Sequence, residues 1–136
     1  MTKTQLPDER TVENGVLAAR SARDGDAHVL RLSGELDLAS YDVVNDELRR
    51  VEATDASRIV IDLSGLTFLD SVGIRLLVEA DARSRSNGSR LQLIPGGDQV
   101  QRILQLCGLE ESLPFVSENG LAESASEARR PMRPGS

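Results

Sequence analysis

Ser71 is the residue of this chain best placed to do chemistry. It closes the run Leu63-Ser64-Gly65-Leu66-Thr67-Phe68-Leu69-Asp70 and opens Val72-Gly73-Ile74. Upstream, Ile59-Val60-Ile61 suits a buried strand; downstream, Gly73, Leu76, Leu77 and Ala80 recur at a helical period. Ser71 is thus expected at a strand-to-helix junction, on a helix N-terminus. The first backbone N–H groups there lack intrahelical partners and the macrodipole is positive, so a phosphate or other anion is well tolerated. A serine in such a position also commonly serves as a helix cap.

The rest of the sequence limits what that hydroxyl can do. A serine needs an adjacent base to become a nucleophile. The one histidine, His28, falls in an early strand and reads as a solvated strand-end residue, and a Gly-x-Ser-x-Gly elbow is excluded because Leu69 stands two residues before Ser71. Every basic residue except Lys3 is an arginine, and Lys3 lies in a polar N-terminal stretch, so no Schiff-base lysine is offered. Asp62 and Asp70 near strand ends carry no metal-ligand pattern and read as solvated loop carboxylates. Gly96-Gly97 after Pro95 reads as a turn, without the fuller pattern of a phosphate-binding loop. Cys107, the single cysteine, ends an apolar stripe and reads as a buried structural thiol; no internal disulfide is possible, and a reducing cytoplasm is the default compartment. No catalytic residue, metal or cofactor is expected.

The elements that must hold Ser71 follow from spacing. The chain has 136 residues, 39% hydrophobic and 28% charged, which suits one globular domain. Residues 1–14 and 129–136 read as flexible tails, leaving a domain over 15–128. Arg23-Asp24-Gly25-Asp26 between Val16–Ser21 and His28–Ser33 signals an opening β-hairpin. Val44, Leu48 and Val51 mark a helix over about 39–53, with Asp37 near its start as an N-cap candidate. A strand over 58–63, a loop through Gly65, the helix from Ser71 to about Ser86 and a stop at Asn87-Gly88 come next. Then come a strand over 90–94, a turn at Pro95-Gly96-Gly97 and a third helix on Val100, Ile103, Leu104 and Cys107, capped by Gly108. Leu113–Val116 reads as a short strand, and Leu121, Ala125 and Ala128 as a weak last helix. The alternation predicts an α/β domain with a mixed sheet opening on a hairpin and helices packed against it.

Charge and composition narrow the partners. The net charge is −6, the arginines are scattered, and aromatics make up 2%, which argues against nucleic acid and anionic membranes. No run approaches the ~20 apolar residues of a membrane span. On the second helix, Ile74 and Val78 lie roughly 100° from the centre of the core face and are expected to be partly exposed beside Ser71.

Three segments in order resemble the STAS domain of anti-sigma factor antagonists: Leu32-Ser33-Gly34-Glu35-Leu36-Asp37, Asp62 through Gly73, and Cys107-Gly108-Leu109. The resemblance implies a bacterial, cytoplasmic regulator that is no enzyme. Its serine, here Ser71, would be phosphorylated by an anti-sigma factor serine kinase of the histidine-kinase-like ATPase type. The unphosphorylated form would bind that kinase and release a sigma factor, and a phosphatase acting on phosphoserine would reset the switch. Asp37, Asp70, Val72, Gly73, Ile74 and Val78 make up the expected partner-binding set. Val72 stands where many relatives carry Ser or Thr, which leaves Ser71 as the one candidate hydroxyl. The alternative is a non-phosphorylated STAS scaffold or an accessory subunit of a signalling or transport complex.

Overall fold

In the computed structural model, which describes residues 9–116, a five-stranded mixed sheet runs in the spatial order β1-β2-β3-β4-β5. The strands are β1 Arg10–Asn14, β2 Leu17–Asp24, β3 Ala27–Leu36, β4 Arg58–Leu69 and β5 Leu91–Ile94; the helices are α1 Leu38–Glu52, α2 Ser71–Ser86 and α3 Asp98–Leu106. β1, β2 and β3 pair antiparallel through two tight turns, at Gly15-Val16 and Gly25-Asp26. Gly15 and Gly25 have φ of 63° and 65°, a region open to glycine at little cost. β4 and β5 then join parallel, with α1 and α2 as crossovers.

The expected α/β architecture is therefore present. Leu30, Leu32, Ile59, Ile61 and Leu63 from the central strands share one core with Val44, Leu48 and Val51 of α1, Leu76, Leu77 and Ala80 of α2, and Val100 and Leu104 of α3. The alternate positions Ala27, Val29, Val60 and Ile94 form a second, smaller cluster with Val116. Both faces of the central strands are thus covered, which explains the uninterrupted Ile59-Val60-Ile61 run.

Several expectations need correction. Arg10–Asn14, inside the stretch read as a tail, is an edge strand. Its one apolar residue is Val12, and it is held by Arg10 on Glu47 and by Asn14 on the Ala39 carbonyl rather than by a hydrophobic pattern. Ser64–Leu69, read as loop, continues β4. Two register shifts against β3, between Arg31 and Ser33 and between Gly34 and Glu35, add residues on the β4 side, so Leu63, Leu66 and Leu69 are buried at a spacing of three instead of two. His28 is wholly buried in β3, not solvated. Asp62 is buried within β4, where it accepts the Ser64 N–H at 2.9 Å and faces Arg31 at 3.4 Å. Cys107 is exposed, because α3 ends at Leu106 and the thiol sits on its C-cap. The short strand at Leu113–Val116 is a single parallel bridge, Phe115 to Leu93. The last helix, on Leu121, Ala125 and Ala128, lies outside the described residues, as do residues 1–8 and 129–136.

Candidate functional site

Parallel pairing of β3 with β4 sets the site. Leu36 lies opposite Leu69, and both strands end there, so the helices that follow start side by side. Asp37 and Asp70 are their N-caps. The Asp70 N–H donates to the Leu36 carbonyl at 3.4 Å, tying the two starts together. The Gly15-Val16 turn reaches the same end, since β2 runs antiparallel to β3 and the Glu35 N–H donates to the Val16 carbonyl at 3.2 Å. Gly34 permits that approach: its φ is +95°, and a Cβ there would lie 1.7 Å from the Val16 oxygen.

The capping chemistry assigns the acids and frees the serine. Asp70 Oδ1 accepts the Val72 N–H at 2.9 Å and the Gly73 N–H at 3.1 Å. Asp37 Oδ1 accepts the Ser40 N–H at 3.2 Å, and Ser40 Oγ accepts the Asp37 N–H at 3.0 Å, closing a reciprocal box. Ser71 is therefore the first residue of α2 rather than its cap. It is exposed, and no group among the described residues hydrogen-bonds its hydroxyl. Two of the orphan N–H groups expected to welcome an anion, those of Val72 and Gly73, are already taken by Asp70.

The expected surface residues divide. Gly73 is buried, and a Cβ on it would come within 2.5 Å of Leu69 Cδ1 and 2.9 Å of the Leu36 carbonyl, so its absence of a side chain lets α2 settle on the strand ends. Ile74 is half-buried against the core, Val72 is half-buried, and Val78 is 40% exposed. Large apolar side chains that the sequence reading passed over are exposed at the same end: Leu38, 73% exposed at the start of α1, Val16 and Phe68. Their position inside amphipathic segments gave no signal, because exposure depends on where the strands stop.

A polar cluster lies one turn along α2. Tyr41 of α1 donates its hydroxyl to Glu79 Oε1, and the Arg75 guanidinium lies over the Tyr41 ring, 5.0 Å from its centroid. Arg75 Nε is 3.7 Å from Glu79 Oε2. The hydrogen bond to Glu79 pushes the Tyr41 phenol above its ordinary range. Sequence reasoning missed this cluster because it joins two helices. Among the described residues no group of three or more His, Cys, Asp or Glu side chains is arranged to hold a metal, and no helix is long and apolar enough to cross a membrane.

Residues 19–117 match the family described as "Mlab, STAS domain". The anti-sigma-F factor antagonist RsfB of Mycobacterium tuberculosis is 29% identical over 89 residues, 65% of this chain and 72% of that protein. An anti-sigma F factor antagonist of Paenibacillus polymyxa is 28% identical over 98 residues, covering 70% and 84% of the two chains. The crystal structure of an anti-sigma factor antagonist from Mycobacterium paratuberculosis superposes with a TM-score of 0.69 at 25% identity, over 82% of this chain and 94% of that one.

Proposed function

Because this chain belongs to the STAS-domain family, we propose that it is an anti-sigma factor antagonist that binds an anti-sigma factor kinase and is switched off by phosphorylation of Ser71. The relatives named as antagonists support the general role. The observation that carries the switch is the hydroxyl of Ser71, exposed at the first position of α2 while Asp70 does the capping. A partner can reach it without breaking a hydrogen bond.

The protein supplies the acceptor and the kinase the chemistry. The Ser71 Oγ–P bond forms as the bond from the ATP γ-phosphorus to the ADP oxygen breaks, and the hydroxyl proton passes to a base on the kinase. His28, buried in β3, takes no part. A phosphatase restores the hydroxyl by hydrolysis, releasing inorganic phosphate. The product carries about 1.5 to 2 added negative charges beside Asp70 and Asp37, within a surface that includes Leu38, Phe68 and Val78. Burying such a charge against a partner opposes docking. The sigma factor is then rebound, all within the cytoplasm.

The test is incubation of wild type and Ser71→Ala with the anti-sigma kinases of its genome and ATP, followed by intact mass and binding measurements. Wild type gains one phosphate and Ser71→Ala none, while both bind the kinase before phosphorylation; Ser71→Glu binds about 10-fold or more weakly. Equal phosphorylation of wild type and Ser71→Ala would move the site elsewhere. Failure of wild type to bind any such kinase would favour the non-phosphorylated scaffold.

A further inference from the structure

We propose that Arg75 is the receiver, within the same chain, of a phosphate on Ser71, and that it leaves Tyr41 and Glu79 when it takes that phosphate. The inference rests on the reading of Ser71 as phosphoacceptor.

A phosphate on Ser71 finds Asp70 already accepting from both Val72 and Gly73, which leaves it the Ser71 N–H alone at the start of the helix. Its acidic neighbours Asp70 and Asp37 repel it. It needs a cation, and Arg75 follows four residues later, one turn along the same face of α2. Helical side chains lean toward the N-terminus, so Arg75, once it leaves Tyr41, can reach back over the turn that holds Ser71.

The present partners of Arg75 hold it weakly. Its side chain is 58% exposed, and its 3.7 Å approach to Glu79 is beyond hydrogen-bond reach. The order of charges is also the less favourable one, since a base four residues before an acid gains less from the helix dipole than an acid before a base. Phosphoserine 71 followed by Arg75 has the favourable order, acid before base. The phosphate also carries up to twice the charge of Glu79. What competes with the phosphate is the Tyr41 ring and its neutral hydroxyl, both of which gain less from a cation than a phosphate does.

The transfer extends the switch along the helix. Glu79 keeps the Tyr41 hydroxyl but loses its cation, beside the exposed Val78. One modification thereby adds charge at Ser71 and uncovers a second negative charge two turns away. A partner docked on a neutral Arg75–Glu79 pair would meet an acidic stretch instead.

The test places phosphoserine at position 71 by encoded incorporation in the full chain, so no kinase is required. Phosphate ionisation is followed by phosphorus NMR in the Arg75, Arg75→Gln and Arg75→Lys backgrounds. Tyr41 is the one tyrosine and the chain has no tryptophan, so tyrosine emission reports on its ring alone. With Arg75 present the phosphate binds its last proton about two- to fivefold more weakly than in Arg75→Gln, and Arg75→Lys recovers most of that difference. Introducing phosphoserine changes Tyr41 emission in the Arg75 protein and not in Arg75→Gln. Equal phosphate titrations in the Arg75 and Arg75→Gln proteins, or unchanged Tyr41 emission on phosphoserine incorporation with Arg75 in place, overturns the proposal. Failure of the Ser71 reading shows separately, as absence of phosphate transfer to the native serine by any kinase.

Discussion

Asp70 and Ser71 are adjacent, both are good capping residues, and the structure gives the cap to the acid. Sequence alone located the pair at a helix start but could not divide the labour, because capping is decided by which residue keeps extended backbone, and that is Asp70, with φ of −109° and ψ of −171°. The division has a measurable consequence. Asp70→Ala should lower stability by about 1 kcal/mol in urea unfolding, since two N–H groups lose their acceptor. Ser71→Ala should leave stability within about 0.5 kcal/mol of wild type, as its hydroxyl holds nothing. Equal losses in the two variants would place Ser71 in the cap. Cys107 taught the same lesson in reverse. It lies in phase with Val100 and Leu104, but the helix ends one residue earlier, so the phase no longer fixes where its side chain goes.

β4 is the element the sequence concealed. Its first half, Arg58 to Leu63, is buried on both faces as a central strand should be, whereas the second half buries Leu63, Leu66 and Leu69 at intervals of three. That interval belongs to neither strand nor helix, and it arises from the bulges that shift β4 against β3. Gly65 sits at one of them, where a Cβ would meet the Leu32 carbonyl at 2.9 Å. α2 was legible from Ser71 to Ser86 because its apolar period is regular, and Asn87 with Gly88 at φ +94° ends it as expected. Its seating on the strand ends depends on Gly73. Gly73→Ala would gain about 1 kcal/mol of helix propensity, yet the new Cβ presses on Leu69 and the Leu36 carbonyl. The expected net result is a loss of about 1–3 kcal/mol in chemical denaturation. A stabilised variant would mean that α2 does not rest as tightly on Leu36 as the structure has it.

Across the whole molecule, a buried carboxylate fastens the edge strand to the first helix. Glu47 of α1, with its side chain 3% exposed, accepts Arg10 of β1 at 2.9 Å, Ser21 of β2 at 2.6 Å and Arg50 at 2.6 Å. Burial pushes its pKa up, but the hydrogen bonds from Arg50, Ser21 and Arg10 outweigh this and hold it below the ordinary 4.5. A depressed folded-state pKa contributes stability that is present above the unfolded value and is lost as pH falls through the folded one. Glu47→Gln should therefore cost about 2–4 kcal/mol in neutral solution, and the difference from wild type should shrink as pH drops below 4.5. Urea unfolding across that range checks it, and a pH-independent difference would show that packing, not charge, is what Glu47 supplies. This cluster was illegible because its members come from three elements, and Arg10 lies in a segment with a single apolar residue. Local spacing determined the α/β class, the hairpin at Gly25, the three helices and the helix-start position of Ser71, because periodicity and capping act between residues near in sequence. Only the tertiary structure decided that β3 and β4 end together, that Asp37, Leu38, Ser71 and Val16 therefore meet at one end, and that Arg75 rests on Tyr41 across two helices. Those placements follow from strand register and packing between distant segments, on which no local pattern reports.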